Sequence, residues 1–172
     1  MLRPRNLHWI QGADDDPYDT CAHGNVDFRI GDDVLLETNG NGLSVSGAAL
    51  YLLRTLSMPH AKAGPFGDQL FPCCGIIMPA KAHEENAFLC GCNVGEDFEI
   101  LHTVEGDGVI VRAIDGREWR VHWPEWREAV FAFADRVSEF YAASSPKQLD
   151  ESDAAGFKNF QDEWSRRRGG KG

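Results

Sequence analysis

The sequence contains no run of 18 apolar residues, so it offers no candidate for a membrane-spanning helix. Residues 1–6 are not followed by an apolar stretch, and we therefore expect no signal peptide. Internal repeats and low-complexity linkers are also lacking, which favours a single domain over residues 1–172 with a frayed end at 169–172. Without an export signal, the five cysteines are expected to be reduced thiols in a cytoplasmic protein.

Positive charge is scarce in this chain. There are 17 Lys and Arg residues against 27 Asp and Glu residues, which gives a net charge of -10. Such an excess of negative charge repels phosphate backbones, so we expect no nucleic-acid partner. The one locally basic segment, residues 166–171, begins within the last turn of a predicted helix, and we interpret it as a favourable helix C-terminus followed by a frayed end.

The local motifs of common enzyme classes are missing as well. Ser46-Gly47 is not part of a Gly-x-Ser-x-Gly nucleophile motif. His83-Glu84-Glu85 begins like a zinc-protease motif, but position 87 is alanine where that motif needs its second histidine. Gly40-Asn41-Gly42 lacks the Lys-Ser/Thr of a phosphate-binding loop, so a plain connection into a helix is favoured. These absences weaken the enzyme hypothesis.

What the sequence does contain is clear hydrophobic periodicity. Residues 26–30 and 34–38 alternate as the two strands of a hairpin, and residues 98–104, 109–114 and 117–123 predict three consecutive antiparallel strands. Asp115-Gly116 is typical of a two-residue type I′ turn between the last two of these strands.

Apolar residues at helical spacing predict three helices. The first carries a stripe over residues 49–56, is capped by Ser44 or Ser46 and ends before Pro59. The other two cover residues 124–143 and 153–167. Together with the strands, these helices predict an α+β fold in which an antiparallel sheet of about five to seven strands is packed by two or three helices.

Cysteine and histidine residues form the candidate metal set: Cys21, His23, Cys73, Cys74, Cys90, Cys92 and His102. Zinc favours thiolate and imidazole ligands, but its structural sites space paired ligands two to four residues apart, and Cys90-Gly91-Cys92 is too short for that. On a strand, Cys73 and Cys74 would point to opposite faces, whereas Cys90 and Cys92 would share a face with Phe88. We therefore expect buried thiols and no cofactor, with zinc as the alternative. A redox pair is disfavoured because the Cys-x-x-Cys spacing is missing. At His102 we expect a core histidine with one hydrogen bond.

The densest acidic cluster lies near the beginning of the chain. Asp14, Asp15, Asp16 and Asp19 surround Pro17 and Tyr18, without the ligand pattern of a calcium-binding loop. Such a run is usually a solvated loop. The sharper hypothesis is a contact patch for a basic protein partner, with Trp9 and Tyr18 as flanking aromatic anchors.

Four stretches occur in a distinctive order: residues 23–26 (HGNV), 48–56 (AALYLLRTL), 71–75 (FPCCG) and 92–98 (CNVGEDF). Together they resemble a family of small stand-alone bacterial proteins without an assigned activity, so the resemblance implies no catalytic residue. The size, acidity and aromatic content also resemble, in type only, the immunity proteins of bacterial toxin systems.

Two functions from different classes are consistent with these patterns. The first is a non-catalytic protein-binding module, of the type that inhibits a basic bacterial toxin or effector. The alternative is a small zinc-dependent enzyme or zinc-stabilised module that uses the candidate metal set. The oligomeric state and the role of Asp97, at the end of the fourth stretch, stay open.

Overall fold

Nine strands and three helices make up the part of the chain that the structure describes, a computed structural model covering residues 1–40, 42–61, 68–73, 77–80, 86–91 and 94–169. The strands are β1 (Leu2–His8), β2 (His23–Ile30), β3 (Asp33–Glu37), β4 (Leu43–Ser44), β5 (Phe71–Pro72), β6 (Gly95–Glu96), β7 (Phe98–His102), β8 (Gly108–Ala113) and β9 (Glu118–His122). The helices are α1 (Val45–Arg54), α2 (Trp123–Ala143) and α3 (Glu151–Gly169). All strand pairs are antiparallel, and the predicted α+β class is confirmed, with the strands divided among sheets of four, two and three.

The four-stranded sheet has β2 at its centre. β1 and β3 flank β2, and the short β4 also pairs with β2. The predicted hairpin is confirmed as β2–β3, with a register shift between Phe28 and Arg29. Val26 and Phe28 belong to the apolar core, whereas Asn25 and Asp27 alternate with them and therefore lie on the opposite face of the sheet.

The three predicted consecutive strands are confirmed as β7, β8 and β9, but the turn between β8 and β9 differs from the prediction. Ala113 pairs with Arg117, and the Gly116 amide donates to the Ala113 carbonyl at 2.9 Å. Gly116 has a φ of 87°, while Asp115 does not take a positive φ. A type I′ turn needs positive φ at both residues, so this is a three-residue loop ending in a glycine bulge. The Asp115 carboxylate accepts from the Arg117 amide, which stabilises this geometry.

Helix α1 is the buried centre of the fold. Ser44 is its N-cap, and its hydroxyl accepts a hydrogen bond from the Gly47 amide at 3.2 Å, as one of the two predicted caps. Every residue from Val45 to Leu53 is buried. The helix ends at Arg54, before Pro59 is reached, because the Thr55 amide and hydroxyl turn back onto carbonyls of the last turn.

Helices α2 and α3 cover the remaining sides of the core. α2 buries its predicted stripe against α1, β1 and the β8–β9 strands. α3 buries Phe157 and Phe160, and it also buries the charged residue Glu163. No helix within the described ranges is both long and apolar enough to cross a membrane.

Candidate functional site

The acidic loop, defined here as residues 14–19, connects the turn after β1 to the start of β2. Its backbone is organised by its own carboxylates. Asp16 accepts hydrogen bonds from the amides of Tyr18 and Asp19, at 2.8 and 3.1 Å. Asp19 accepts from the amides of Ile10 and Cys21, both at 2.8 Å. The loop therefore has a defined shape before it meets any partner.

A second segment, residues 144–148, forms hydrogen bonds with the acidic loop. We call it the connector, because it lies between α2 and α3. The Ser145 amide donates to the Asp15 carboxylate at 3.2 Å, and the Gln148 amide donates to the Pro17 carbonyl at 2.7 Å. The Lys147 ammonium group donates a hydrogen bond to the Asp16 carbonyl at 2.7 Å. The position of the loop thus depends on a segment about 130 residues further along the chain.

Trp9 contacts the connector and is not an exposed anchor, so that part of the sequence hypothesis is wrong. It is completely buried, with its ring 4.8 Å from that of Phe140 and 5.2 Å from that of Tyr141. Its indole nitrogen donates to the Ser144 hydroxyl at 3.0 Å, and the Lys147 ammonium lies 3.2 Å from the ring centroid. The indole ring therefore packs against the end of α2 and against the connector that holds the loop.

Three side chains remain presented to solvent at the loop. Tyr18 is 70% exposed, and Asp14 and Asp15 are also exposed. The Tyr18 hydroxyl makes one long contact of 3.5 Å with the Gln148 side chain. Tyrosine is one of the residue types that are enriched among the hot spots of protein–protein interfaces.

The carboxylates of Asp15 and Asp19 stay ionised near neutral pH. The hydrogen bond from Ser145 holds the pKa of Asp15 below its ordinary value. Burial raises the pKa of Asp19, but hydrogen bonds from His23 and from the Cys21 and Ile10 amides outweigh burial, and the pKa ends below its ordinary value. The loop therefore carries a concentrated negative charge.

Cys21 and His23 lie directly behind the acidic loop and are both buried. The Cys21 sulfur is 2.9 Å from the Ser44 hydroxyl, which fits a small core residue with a weak hydrogen bond. His23 Nε2 is 3.6 Å from the Asp19 carboxylate. His102 is half-buried, and its Nε2 donates to the Thr55 carbonyl at 2.8 Å. This agrees with the predicted histidine that has one satisfied hydrogen bond.

The other cysteines lie partly outside the described residues. Cys74 and Cys92 belong to the ranges that are not described, while Cys73 and Cys90 are half-buried. Cys90 pairs with Ile77 in an isolated bridge and does not belong to a strand. Among residues 87–90 the buried ones are Ala87 and Leu89, and Phe88 is 39% exposed. Cys90 therefore shares the more exposed side with Phe88, where a core position was expected.

Within the described ranges, no group of three or more His, Cys, Asp or Glu side chains is placed to hold a metal ion. The role of Asp97, which the sequence leaves open, is visible instead. Asp97 Oδ1 lies 3.0 Å from His60 Nε2 and accepts from the Leu70 amide at 2.9 Å. The Asp97 carboxylate thus connects His60 and Leu70, which both follow α1, to the beginning of β7.

The ion pair between Arg54 and Glu163, which joins α1 to α3, could not be predicted from the sequence. The two residues are 109 positions apart, and no local pattern distinguishes Glu163 from the other charged residues of its helix.

Comparisons of the chain with models of known protein families, with curated proteins and with solved structures gave no match. The function is therefore inferred from the geometry of the acidic loop and its surroundings.

Proposed function

We propose that this protein is a non-catalytic binding protein that recognises a basic protein partner through the acidic loop, in the manner of an immunity-type inhibitor of a toxin or effector. The observation that carries the proposal is the clamping of the loop by residues 144–148, which leaves Tyr18 and Asp14 exposed. A loop that is already ordered loses little conformational entropy on binding, so more of its interaction energy appears as affinity.

The distribution of charge supports the same proposal. Most of the described arginines form ion pairs with carboxylates of the same chain. Most of this positive charge is offset by a neighbouring carboxylate, except where Arg3 and Arg5 share the single carboxylate of Asp27, and the excess of ten negative charges is left for other parts of the surface. A surface with an excess of one sign accelerates the encounter with a partner of the opposite sign and disfavours partners of the same sign.

The proposal is tested by affinity capture with a matched pair of variants. The loop variant combines Asp14→Asn with Tyr18→Ala, because neither side chain holds the loop in shape. The control variant combines Asp32→Asn with Ile114→Ala, which removes the same charge and another exposed apolar side chain at two hairpin turns. Both variants should unfold at the temperature of the wild type.

We expect the wild type and the control variant to capture the same basic protein from native lysate. The loop variant should lose it, and recovery by the wild type should fall as the salt concentration rises. Equal capture by the loop variant, or eluates without any basic protein, would overturn the proposal.

A further inference from the structure

A groove of about 620 Å³ lies between strand β1 and helix α2, and none of the acidic-loop residues lines it. Arg3 and Arg5 line it from β1, and Arg136 lines it from α2. Leu7 and Phe140 add apolar surface. This volume is within the range of pockets that bind small molecules.

The groove carries charge of the sign that is scarce elsewhere in the chain. Three guanidinium groups line the groove. The carboxylates next to them are Glu139, which pairs with Arg136, and Asp27, which pairs with Arg3 and Arg5. The local balance is therefore positive in a protein whose net charge is -10. An anion attracted to this protein would find favourable potential here.

The two arginines of β1 are held in place by a carboxylate on the neighbouring strand β2. Asp27 on β2 is buried, and its Oδ2 accepts from the Arg3 guanidinium at 3.0 Å and lies 2.7 Å from Arg5 Nε. The Arg5 guanidinium also donates to the Thr38 carbonyl at 3.2 Å. Because Arg3 and Arg5 are two residues apart on one strand, both side chains lie on the same face of β1. The contacts with Asp27 therefore hold the guanidinium groups of Arg3 and Arg5 beside the groove.

Donor groups remain available for a ligand on both walls. A guanidinium has five N–H groups. Arg3 donates to Asp27 through one terminal nitrogen, and Arg136 donates to Glu139 through one terminal nitrogen. Their side chains are 55% and 64% exposed. Arg3 can turn further N–H groups toward an oxyanion without breaking its contact with Asp27, and Arg136 can do so without breaking its contact with Glu139.

We propose that this groove binds a small anionic ligand through a phosphate or carboxylate group held between Arg3 and Arg136. The planar fork of arginine matches the oxygens of either group in a bidentate arrangement. The apolar surface of Leu7 and Phe140 would contact the rest of the ligand. The groove and the acidic loop carry opposite charge, so this ligand is distinct from the basic partner proposed above.

Isothermal titration with inorganic phosphate and, separately, with citrate tests the proposal at constant ionic strength set by sodium chloride. Saturable binding of phosphate alone identifies a phosphate ligand, and saturable binding of citrate alone identifies a carboxylate ligand. Arg136→Gln should weaken the binding by roughly tenfold or more, since it removes charge-assisted hydrogen bonds. Arg136→Lys keeps the charge without the fork and should give an intermediate loss.

The control is Arg117→Gln, which removes another exposed arginine from the β8–β9 hairpin, and it should bind as the wild type does. Arg136 is exposed on its helix, so its replacement leaves the fold intact, which the melting temperature verifies. Binding that is equally strong in Arg136→Gln, or no saturable binding of either anion, would overturn the proposal.

Discussion

The carboxylate of Glu163 on α3 accepts two hydrogen bonds from the guanidinium of Arg54 on α1, at 2.9 and 2.8 Å. Glu163 is completely buried, and it also accepts from the Ala87 amide at 2.7 Å and from Arg167 at 2.6 Å. Arg54 in turn donates to the Ala87 carbonyl. One buried carboxylate thus joins the central helix, the last helix and the segment at residue 87.

Replacement of Glu163 by glutamine should destabilise the protein strongly. The change leaves the partly buried Arg54 guanidinium without its counter-ion at the completely buried position 163, and such a loss costs about 3 kcal/mol or more. Urea denaturation at neutral pH measures this difference in unfolding free energy. The control is Asp162→Asn on the same helix, whose exposed pair with Lys158 should contribute less than about 1 kcal/mol. Equal effects of the two changes would contradict the assigned role of Glu163.

The contribution of Glu163 should disappear in acid. Burial raises the pKa of Glu163, but the hydrogen bonds from Arg54, Arg167 and the Ala87 amide outweigh it and hold the pKa below the ordinary value. The unfolded chain therefore takes up this proton first, at about pH 4.3, and stability falls with pH below that point. The difference in unfolding free energy between wild type and Glu163→Gln should be largest at neutral pH and shrink toward about pH 3. A difference that stays constant over this range would be inconsistent with an ionised Glu163.

Gly156→Ala should reverse the usual sign of a glycine-to-alanine change in a helix. Alanine normally stabilises a helix interior by up to about 1 kcal/mol relative to glycine. A Cβ at position 156, however, would lie 1.5 Å from the Met78 carbonyl oxygen, so α3 must shift away from that segment. We expect a loss of about 2 kcal/mol in thermal or urea unfolding. Gly169→Ala, which meets no atom within 4 Å, is the control, and a stabilised Gly156→Ala variant would contradict this packing.

The cysteines are predicted to bind no zinc when the protein is purified without added metal or chelator. Cys21 is buried beside Ser44, and Cys90 and Cys92 are closer in sequence than the paired ligands of structural zinc sites. Native mass spectrometry should therefore give the mass of the bare chain. A mass increase of one zinc ion, lost when Cys90 and Cys92 are both replaced by serine, would establish the zinc alternative.

Features encoded by neighbouring residues could be predicted from the sequence. The stripe of α2, with Trp126, Val130, Phe133 and Val137 buried, follows from contacts within one helix face. The Asp115-Gly116 turn was predicted only in part, because the same dipeptide suits two turn types, and the strand pairing on either side decides between them.

Features that join distant parts of the chain could not be predicted. Trp9 stands close to an acidic run, which made an exposed anchor plausible, but Phe140 and Tyr141 bury it. The acidic cluster itself is visible in the sequence. Its hydrogen bonds to the connector could not be predicted, because nothing in residues 14–19 indicates a contact with a segment about 130 residues further along the chain.

The pairing of Trp9 with Ser144 across 135 residues has a consequence for synthesis. At translation rates of about 5–20 residues per second, the connector emerges on the order of ten seconds after Trp9. Until then the indole and the loop lack their support, and β1 has no α2 to pack against. In a nascent chain the acidic loop therefore gains its hydrogen bonds to the connector only when most of the chain has left the ribosome.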